Sequence, residues 1–526
     1  MRNFPYLKKS SLVVFSFAIF SFVGSIYQGS YIYDGFHWGL ISSNAQDLLN
    51  GKKPYKDFFV HYGFLTVLLQ SISLKIYNSV YSILILSSLF YSVSIILLAK
   101  LIEKFLSSNY VNLFVFIIIF MQPFIVYPWH TYFIFFTSVF SLSLFLKKNS
   151  ISLFLFGFFI QLGFLFSESY KIFSIAIILL SIIILFFENQ KLKNIIKKII
   201  LILLGYLLPL IAFIIYLYLN NLIDYWLLHS NIPNIFVNEL NSNIWLLILS
   251  FISNYIFESI NIFSESYYIL GILINLSCIF FLIKTAQEKK INLDLIFISC
   301  FSLLLNFMLV FRHESFRFFC GPIIGLVILF YFINNFKDFN KYLSILILLF
   351  IAIISNPFEK GNSNRNFTNS NQKILSYNDS SILKFRGMNF TKDTWEHHIK
   401  LIEILKKINN KCKSVEFFYN ATPDHYYYLI ASDYLNSFQK IPGYSETTLK
   451  NYYDSMNTYF DSNIKNLMIE KIAKKNIVLM REDYNNSSIA IGKTKINLDN
   501  FYFKNLPFSY NNKKKLLYIP DNCTLN

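Results

Sequence analysis

Eleven mostly apolar runs, each close to the length of a membrane-crossing helix, constrain this chain more than any other feature. They cover residues 11–27, 79–98, 111–127, 129–146, 151–166, 172–187, 199–219, 266–283, 293–311, 320–335 and 342–355. A bilayer's hydrocarbon core is spanned by about 20 such residues as a helix, which satisfies its own backbone polar groups. The spacing therefore predicts a polytopic α-helical membrane protein, in keeping with 55% hydrophobic against 15% charged residues over 526 positions. Arg2, Lys8 and Lys9 precede the first run as they would in a signal peptide, but no small-residue cleavage site follows, so it is read as a retained span. The segment 243–262, "NIWLLILSFISNYIFESINI", is interrupted by Asn254 and Glu258 and is read either as a twelfth crossing or as an interfacial helix.

Basic residues gather in alternate loops: Arg2/Lys8/Lys9, Lys100/Lys104, Lys147/Lys148, Lys191/Lys193/Lys197/Lys198, Lys284/Lys289/Lys290 and Lys337/Lys341. Because cytoplasmic loops carry the Lys/Arg excess, eleven crossings place the N-terminus inside. Residues 28–78, the region 220–265, the turn "RHESFRFF" and everything after about 356 then share the outer side. The net charge of +17 follows from these loops and a basic tail, without a nucleic-acid-binding motif, so nucleic acid is excluded as a partner. The middles of the runs hold no ionisable residue, which argues against an ion-coupled transporter.

After residue 355 the composition changes. A polar linker, 356–380, leads to residues 381–526, where "TWEHHIKLIEILKKINNK", "PDHYYYLIASDYL" and "NLMIEKIAKKN" read as helices and "SVEFFYN" and "IVLMRED" as strands. That alternation predicts a small extracytoplasmic α/β domain beside the membrane domain of residues 1–355. It contains no phosphate-binding glycine loop. None of the five cysteines forms a CxxC pair; Cys412 and Cys523 could bond if the tail is extracytoplasmic, which spacing does not decide.

Within the outer loop, "YDGFHWGLISSNAQDLLNGKKPYKDFFVHYG" concentrates acids, histidines, aromatics and glycines. Trp38, Ile41, Ala45, Leu48 and Leu49 have helical spacing, as in an amphipathic helix lying on the outer leaflet. Asp34 is placed to be either that helix's N-cap or a general base. His37 reads as a polar group that donates to a sugar or phosphate rather than as a metal ligand. Gly51 and Pro54 mark a turn into a second surface helix; Asp57 there either positions a substrate or caps.

This loop resembles the first outer loop of the bacterial polytopic glycosyltransferases of GT-C fold, the family 39-like group that includes protein mannosyltransferases and the lipid A aminoarabinose transferase. The similarity rests on Asp34, on His37 followed by Trp38 and Gly39, and on Gly51, Pro54, Tyr55, Asp57, Phe59, Tyr62 and Gly63. The family commonly follows its first Asp with an acidic residue; here Gly35 follows. The resemblance implies a polyprenyl-phosphate sugar donor, inverting transfer on the outer face of the bacterial inner membrane, and Asp34 as the base. It leaves the acceptor open among lipid, glycan and protein.

Two further outer turns suit an anionic donor. "FRHESFRFF" offers Arg312 and Arg317 as phosphate ligands, since a guanidinium donates paired hydrogen bonds, with Glu314 or His313 to orient them. "FSESYK" offers Lys171, the basic residue that runs against the inside bias. Hairpin anchoring at the lipid headgroups is the alternative for both. A divalent metal ion is left open, with no ligand set to hold it. The rival functions are a lipid-linked polysaccharide ligase and a non-catalytic subunit of glycan export or assembly.

Overall fold

A computed structural model describes residues 9–31, 35, 37–58, 60, 62–121, 130–188, 191–227, 267–287, 292–309, 321–354, 374–376, 383–420, 422, 424–439, 466–482, 488–491, 494–506 and 515–525. Asp34, the turn with Arg312, His313, Glu314 and Arg317, the segment 243–262 and most of the expected linker lie outside these.

Over its described residues, every one of the eleven apolar runs falls on a helix. In chain order these helices are α1 (Lys9–Ser30), α4 (Val80–Phe105), α5 (Ser108–Met121), α6 (His130–Phe145), α7 (Ser150–Phe166), α8 (Lys171–Phe187), α9 (Leu192–Leu219), α10 (Tyr267–Gln287), α11 (Leu293–Leu309), α12 (Leu326–Asn334, entered through a 3₁₀ turn at Pro322–Gly325) and α13 (Asp338–Ile354). Two shorter helices of the outer loop, α2 (His37–Leu49) and α3 (Phe64–Ile76), come between α1 and α4. Among the described residues, α1, α4, α9 and α10 are long and apolar enough to cross a membrane on their own. Leu12, Phe15, Leu204, Leu208, Leu346 and Phe350 are exposed on α1, α9 and α13, as expected of faces turned to lipid rather than water.

Small residues set the closest helix approach. A Cβ at Gly157 of α7 would strike the backbone of Ile202, and one at Gly205 of α9 that of Phe154. With no hydrophobic drive between helices in lipid, such close backbone contact supplies the packing attraction. Ends are fixed locally: Ser79 Oγ caps α4 through the Tyr81 amide at 3.2 Å, and Asn149 Oδ1 caps α7 through that of Ser152 at 2.8 Å.

At the basic end of the bundle an ion network joins five elements. Lys148 Nζ lies 2.6 Å from Glu188 and 2.9 Å from Asp294, and Lys198 Nζ is 3.0 Å from Glu188. Lys104 is 3.7 Å from Asp294 and donates to the Leu146 carbonyl at 3.1 Å. Burial alone would push Glu188 up, but its bonds to Lys148 and Lys198 outweigh burial and hold it below the usual carboxylate range. A depressed acid contributes stability above its unfolded pKa and loses it as pH falls through the folded one. Glu188→Gln should therefore cost about 2 kcal/mol at neutral pH, the scale of charged hydrogen bonds. Thermal unfolding in detergent checks this, and the deficit should shrink in acid.

The tail is an α/β domain. Five strands, β3 (Phe417–Asn420), β4 (Asn436–Gln439), β5 (Ile477–Glu482), β8 (Phe501–Asn505) and β9 (Lys515–Pro520), form a sheet in the order β4-β3-β5-β9-β8. β3 runs parallel to β4 and β5, and β9 antiparallel to β5 and β8. Strand residues alternate between two cores. Phe418, Val478, Met480, Leu517 and Ile519 join α14 (Lys392–Lys411) and α15 (Tyr426–Ala431) in one core continuous with the helix bundle. Tyr419, Ile477, Leu479, Leu516 and Tyr518 face α16 (Asn466–Ala473), whose Ile472 completes a second core. β1 (Ile374–Ser376) pairs with β2 (Asn389–Thr391), and β6 (Ser488–Ile491) with β7 (Thr494–Asn497), as separate ribbons. Cys412, after α14, is disulfide-bonded to Cys523, after β9.

The domain is seated on the loop end of the bundle. Ser79 Oγ donates to the Arg386 carbonyl at 2.7 Å, and Asn389 Nδ2 to Ser30 Oγ at 2.9 Å.

Candidate active site at the junction of loop and tail

The polar side of α2 is where the structure departs from the sequence reading. Trp38, Ile41 and Ala45 are buried against the bundle as the periodicity requires, but Ser42, Ser43, Asn44 and Asp47 are buried as well. α2 is not a helix lying on a surface, because α15 of the tail covers its other face. The contact is backbone-close at Gly39, where a Cβ would come within 2.9 Å of His425 Cβ and the Tyr426 nitrogen. Tyr426, Tyr427 and Tyr428 are all buried; the first packs on Phe385 and Phe390 and the second on His397 and His398 of the tail, while Tyr428 meets α2 at Asp47.

Asp47 is the charge at its centre. It accepts a hydrogen bond from the Tyr428 hydroxyl and pairs with Lys52 Nζ at 2.9 Å; that amine also donates to Tyr428 at 3.0 Å. Lys384 approaches from the tail, bonded to the Leu429 carbonyl at 2.9 Å, to Ser432 Oγ at 2.7 Å and to Asp433 at 2.6 Å. Burial pulls Lys384 down, against the pull of Asp433 and Asp47. For Asp47, burial outweighs the opposing Lys52 and pushes the carboxyl up to about 6.

An acid raised in the folded state contributes stability below its unfolded pKa and loses it as pH climbs through the folded one. Asp47 should thus make the junction about 1 kcal/mol more stable at pH 5 than at pH 7. His398, buried and beside His397, is held well below its ordinary value and pulls the other way, since its unfolded form binds the proton first. The diagnostic is therefore the difference between wild type and Asp47→Asn in thermal unfolding at the two pH values. The gain on acidification should be smaller in the variant by that amount.

The rest of the loop is tied to the bundle. The turn after α2 uses left-handed backbone at Gly51 (φ 79°) and Tyr55 (φ 66°). Asp57 is exposed and accepts from the Lys53 amide at 2.7 Å within the turn; it does not cap the next helix, because α3 starts after Gly63 and has no side-chain cap. Tyr55 Oη and Trp226 Nε1 both donate to Glu168 Oε1 at 3.2 Å. Thr66 Oγ1 donates to the Phe166 carbonyl at 2.7 Å, and Tyr62 stacks on His130 with ring centroids 4.0 Å apart. Lys171 follows the Glu168–Tyr170 turn, exposed at the start of α8 on this same end, and His37 is half-buried at the first position of α2.

Nearest to Asp34 in the chain, Gly35 accepts a backbone hydrogen bond from His425 at 2.8 Å. The space beside its α-carbon is filled by the carboxyl group of Asp424. Asp424 itself is half-buried and held in a turn: its Oδ1 accepts from the Tyr426 amide at 3.0 Å, and its carbonyl from Asn420 Nδ2 at 2.8 Å. Sequence reasoning passed over Asp47, Lys384 and Asp424; the three successive tyrosines after "PDH" were the one local sign that this tail segment enters a core. Among the described residues, no three His, Cys, Asp or Glu side chains converge as a metal site.

No protein-family model matches the sequence, and no curated protein matches it. Among solved structures, the chain is similar to the crystal structure of the Archaeoglobus fulgidus oligosaccharyltransferase in the apo form, at 10% sequence identity over 91% of this chain and 70% of that one, with a TM-score of 0.49.

Proposed function

We propose that this protein is a membrane glycosyltransferase that moves a sugar from a polyprenyl-phosphate carrier to an acceptor hydroxyl on the outer face of a bacterial inner membrane. The observation that carries the reading is the loop from Asp34 to Gly63. Its similarity to the GT-C first outer loop is joined by the burial of its helix α2 between helix bundle and tail, which suits a reaction sheltered from bulk water. The disulfide in the tail supports an oxidising, extracytoplasmic side for the loop and the tail.

In this mechanism Asp34 takes the proton from the acceptor hydroxyl as its oxygen attacks the anomeric carbon. The new C–O bond forms on one face while the C–O bond to the phosphate breaks on the other, and its electron pair leaves on the phosphate oxygen. A single displacement of this kind inverts the anomeric centre. Arg312, Arg317 and Lys171 hold the phosphate and stabilise the charge that develops on it, with Glu314 orienting the arginines and His37 donating to the sugar or phosphate. The lipid chain lies along the apolar outer surface of the bundle.

The test is a donor panel. Purified protein in liposomes that carry acceptor-bearing envelope extract of the producing cells, given labelled polyprenyl-phosphate hexoses and pentoses beside the matching nucleotide sugars, should transfer from lipid-linked donors alone. Transfer from a nucleotide sugar, or from no donor at all, contradicts the reading; movement only of preassembled glycans supports the ligase instead.

A further inference from the structure

An open cleft of about 380 Å³ lies in the tail, at the low end of the sizes of small-molecule sites. Its polar wall comes from three places: the last turn of α14 with Asn409, the turn after it with Lys413, and the entrances to β3 and β4 with Glu416 and Asn436. Val415 and Leu435, both buried, form an apolar floor, and the half-buried Tyr434 adds an aromatic side chain. The cleft is separate from the contact with the loop. His425, which bonds to Gly35, precedes α15, whereas the cleft residues from Ser432 onward follow it, with a six-residue helix about 9 Å long between them.

The walls are held by the fold. Cys412, between Asn409 and Lys413, is tied by its disulfide to Cys523, and its carbonyl accepts from the Val415 amide at 2.9 Å. The Asn436 amide donates to the Glu416 carbonyl at 2.9 Å, which sets these two side chains at the mouths of neighbouring parallel strands. On the rim, Lys384 bonds to Ser432 and Asp433.

Charge in the cleft is balanced: Lys413 and Glu416 are opposite in sign, and Asp433 is paired with Lys384 at 2.6 Å. A phosphate therefore finds no excess of cations, and a wholly apolar ligand would strip water from polar side chains without replacing its hydrogen bonds. Among the described residues, no hydrogen bond or ion pair engages the side chains of Asn409, Glu416 or Asn436. Amides both donate and accept, and a carboxylate accepts, so the three suit a ligand whose hydroxyls do both. The C–H groups of a sugar pack on the electron-rich face of an aromatic ring such as that of Tyr434.

We infer that this cleft binds a neutral oligosaccharide, with its hydroxyls held by Asn409, Glu416 and Asn436 and its C–H groups packed on Tyr434. The inference goes beyond the transferase reading and stands without it, because binding needs no reaction.

The test uses the full chain in nanodiscs, without any donor. The probes are oligosaccharides released by mild acid from the envelope of the producing cells, separated by anion exchange into a neutral and an anionic pool. Saturation-transfer NMR should show saturable binding of the neutral pool. Asn409→Ala with Asn436→Ala should weaken it at least fivefold, and Tyr434→Ala likewise, while Tyr434→Phe keeps the ring and should stay within twofold of wild type. The two asparagines are exposed, so the double variant should melt as wild type does. Lys406→Ala, exposed on α14 outside the cleft, should bind as wild type does.

Binding of neither pool, preference for the anionic pool, a loss smaller than fivefold in the double asparagine variant, or an equal loss in Lys406→Ala overturns the inference. Each of these results leaves the transferase reading as it was, and failure of that reading in the donor panel leaves the binding result standing.

Discussion

Asp34→Asn should lower glycosyl transfer by about 10²–10⁴-fold, the range a positioned general base contributes. Asparagine keeps the size and the capping ability of aspartate but binds no proton at neutral pH. A residue that merely caps α2 would therefore tolerate this change, with transfer close to wild type. A base would not, and the loss should fall on kcat, since proton removal belongs to the transition state rather than to donor binding. Protein level and melting temperature should stay unchanged, which separates loss of chemistry from loss of fold.

Opening the disulfide should have the largest effect on stability. Cys412 and Cys523 are 111 residues apart, so their bond closes most of the tail into one loop. For a loop of this size the chain-entropy model gives about 4–5 kcal/mol. Both sulfurs are buried, so Cys412→Ser with Cys523→Ser also places two hydroxyls among apolar neighbours. Limited proteolysis should cut the double variant in the tail at temperatures where wild type resists. Because α15 covers α2, transfer should fall together with tail integrity. Transfer that survives complete unfolding of the tail would contradict a shared site.

The helices of the bundle were legible because apolar length is a local property: over their described residues, all eleven runs fall on helices, from α1 through α13. The tail's α14, α15 and α16 and its strands β3 and β5 were legible for a similar reason, through helical spacing in "TWEHHIKLIEILKK" and short β-branched or aromatic runs. β8 and β9 escaped that reading; they flank the lysine run 513–515, and their partners are supplied by the sheet rather than by their own pattern.

The site was half legible. The residues of the loop carry its resemblance, but what covers them comes from far along the chain. Lys52 and Tyr428 are 376 positions apart, and Asp47 and Tyr428 381. Amphipathic spacing showed that α2 has a polar face and said nothing about where that face goes. Asp47, on that face, is buried, and Asp424, inside the segment read as a helix, lies in the turn before α15 with its carboxyl in the space over Gly35. Asp57 was read either as positioning a substrate or as capping the next helix; α3 starts after Gly63 without a side-chain cap, and Asp57 closes the preceding turn on the Lys53 amide.

The central claim is tested most directly by the fate of an intact lipid-linked donor. Mass spectrometry and NMR should follow a polyprenyl-phosphate sugar, doubly labelled in lipid and sugar, with wild type and Asp34→Asn in the same membranes. The account predicts free polyprenyl phosphate and glycosylated acceptor in equal amounts from wild type, with the anomeric configuration inverted, and neither from Asp34→Asn. Equal turnover of the donor by both proteins, or a product that retains the donor's configuration, would contradict it.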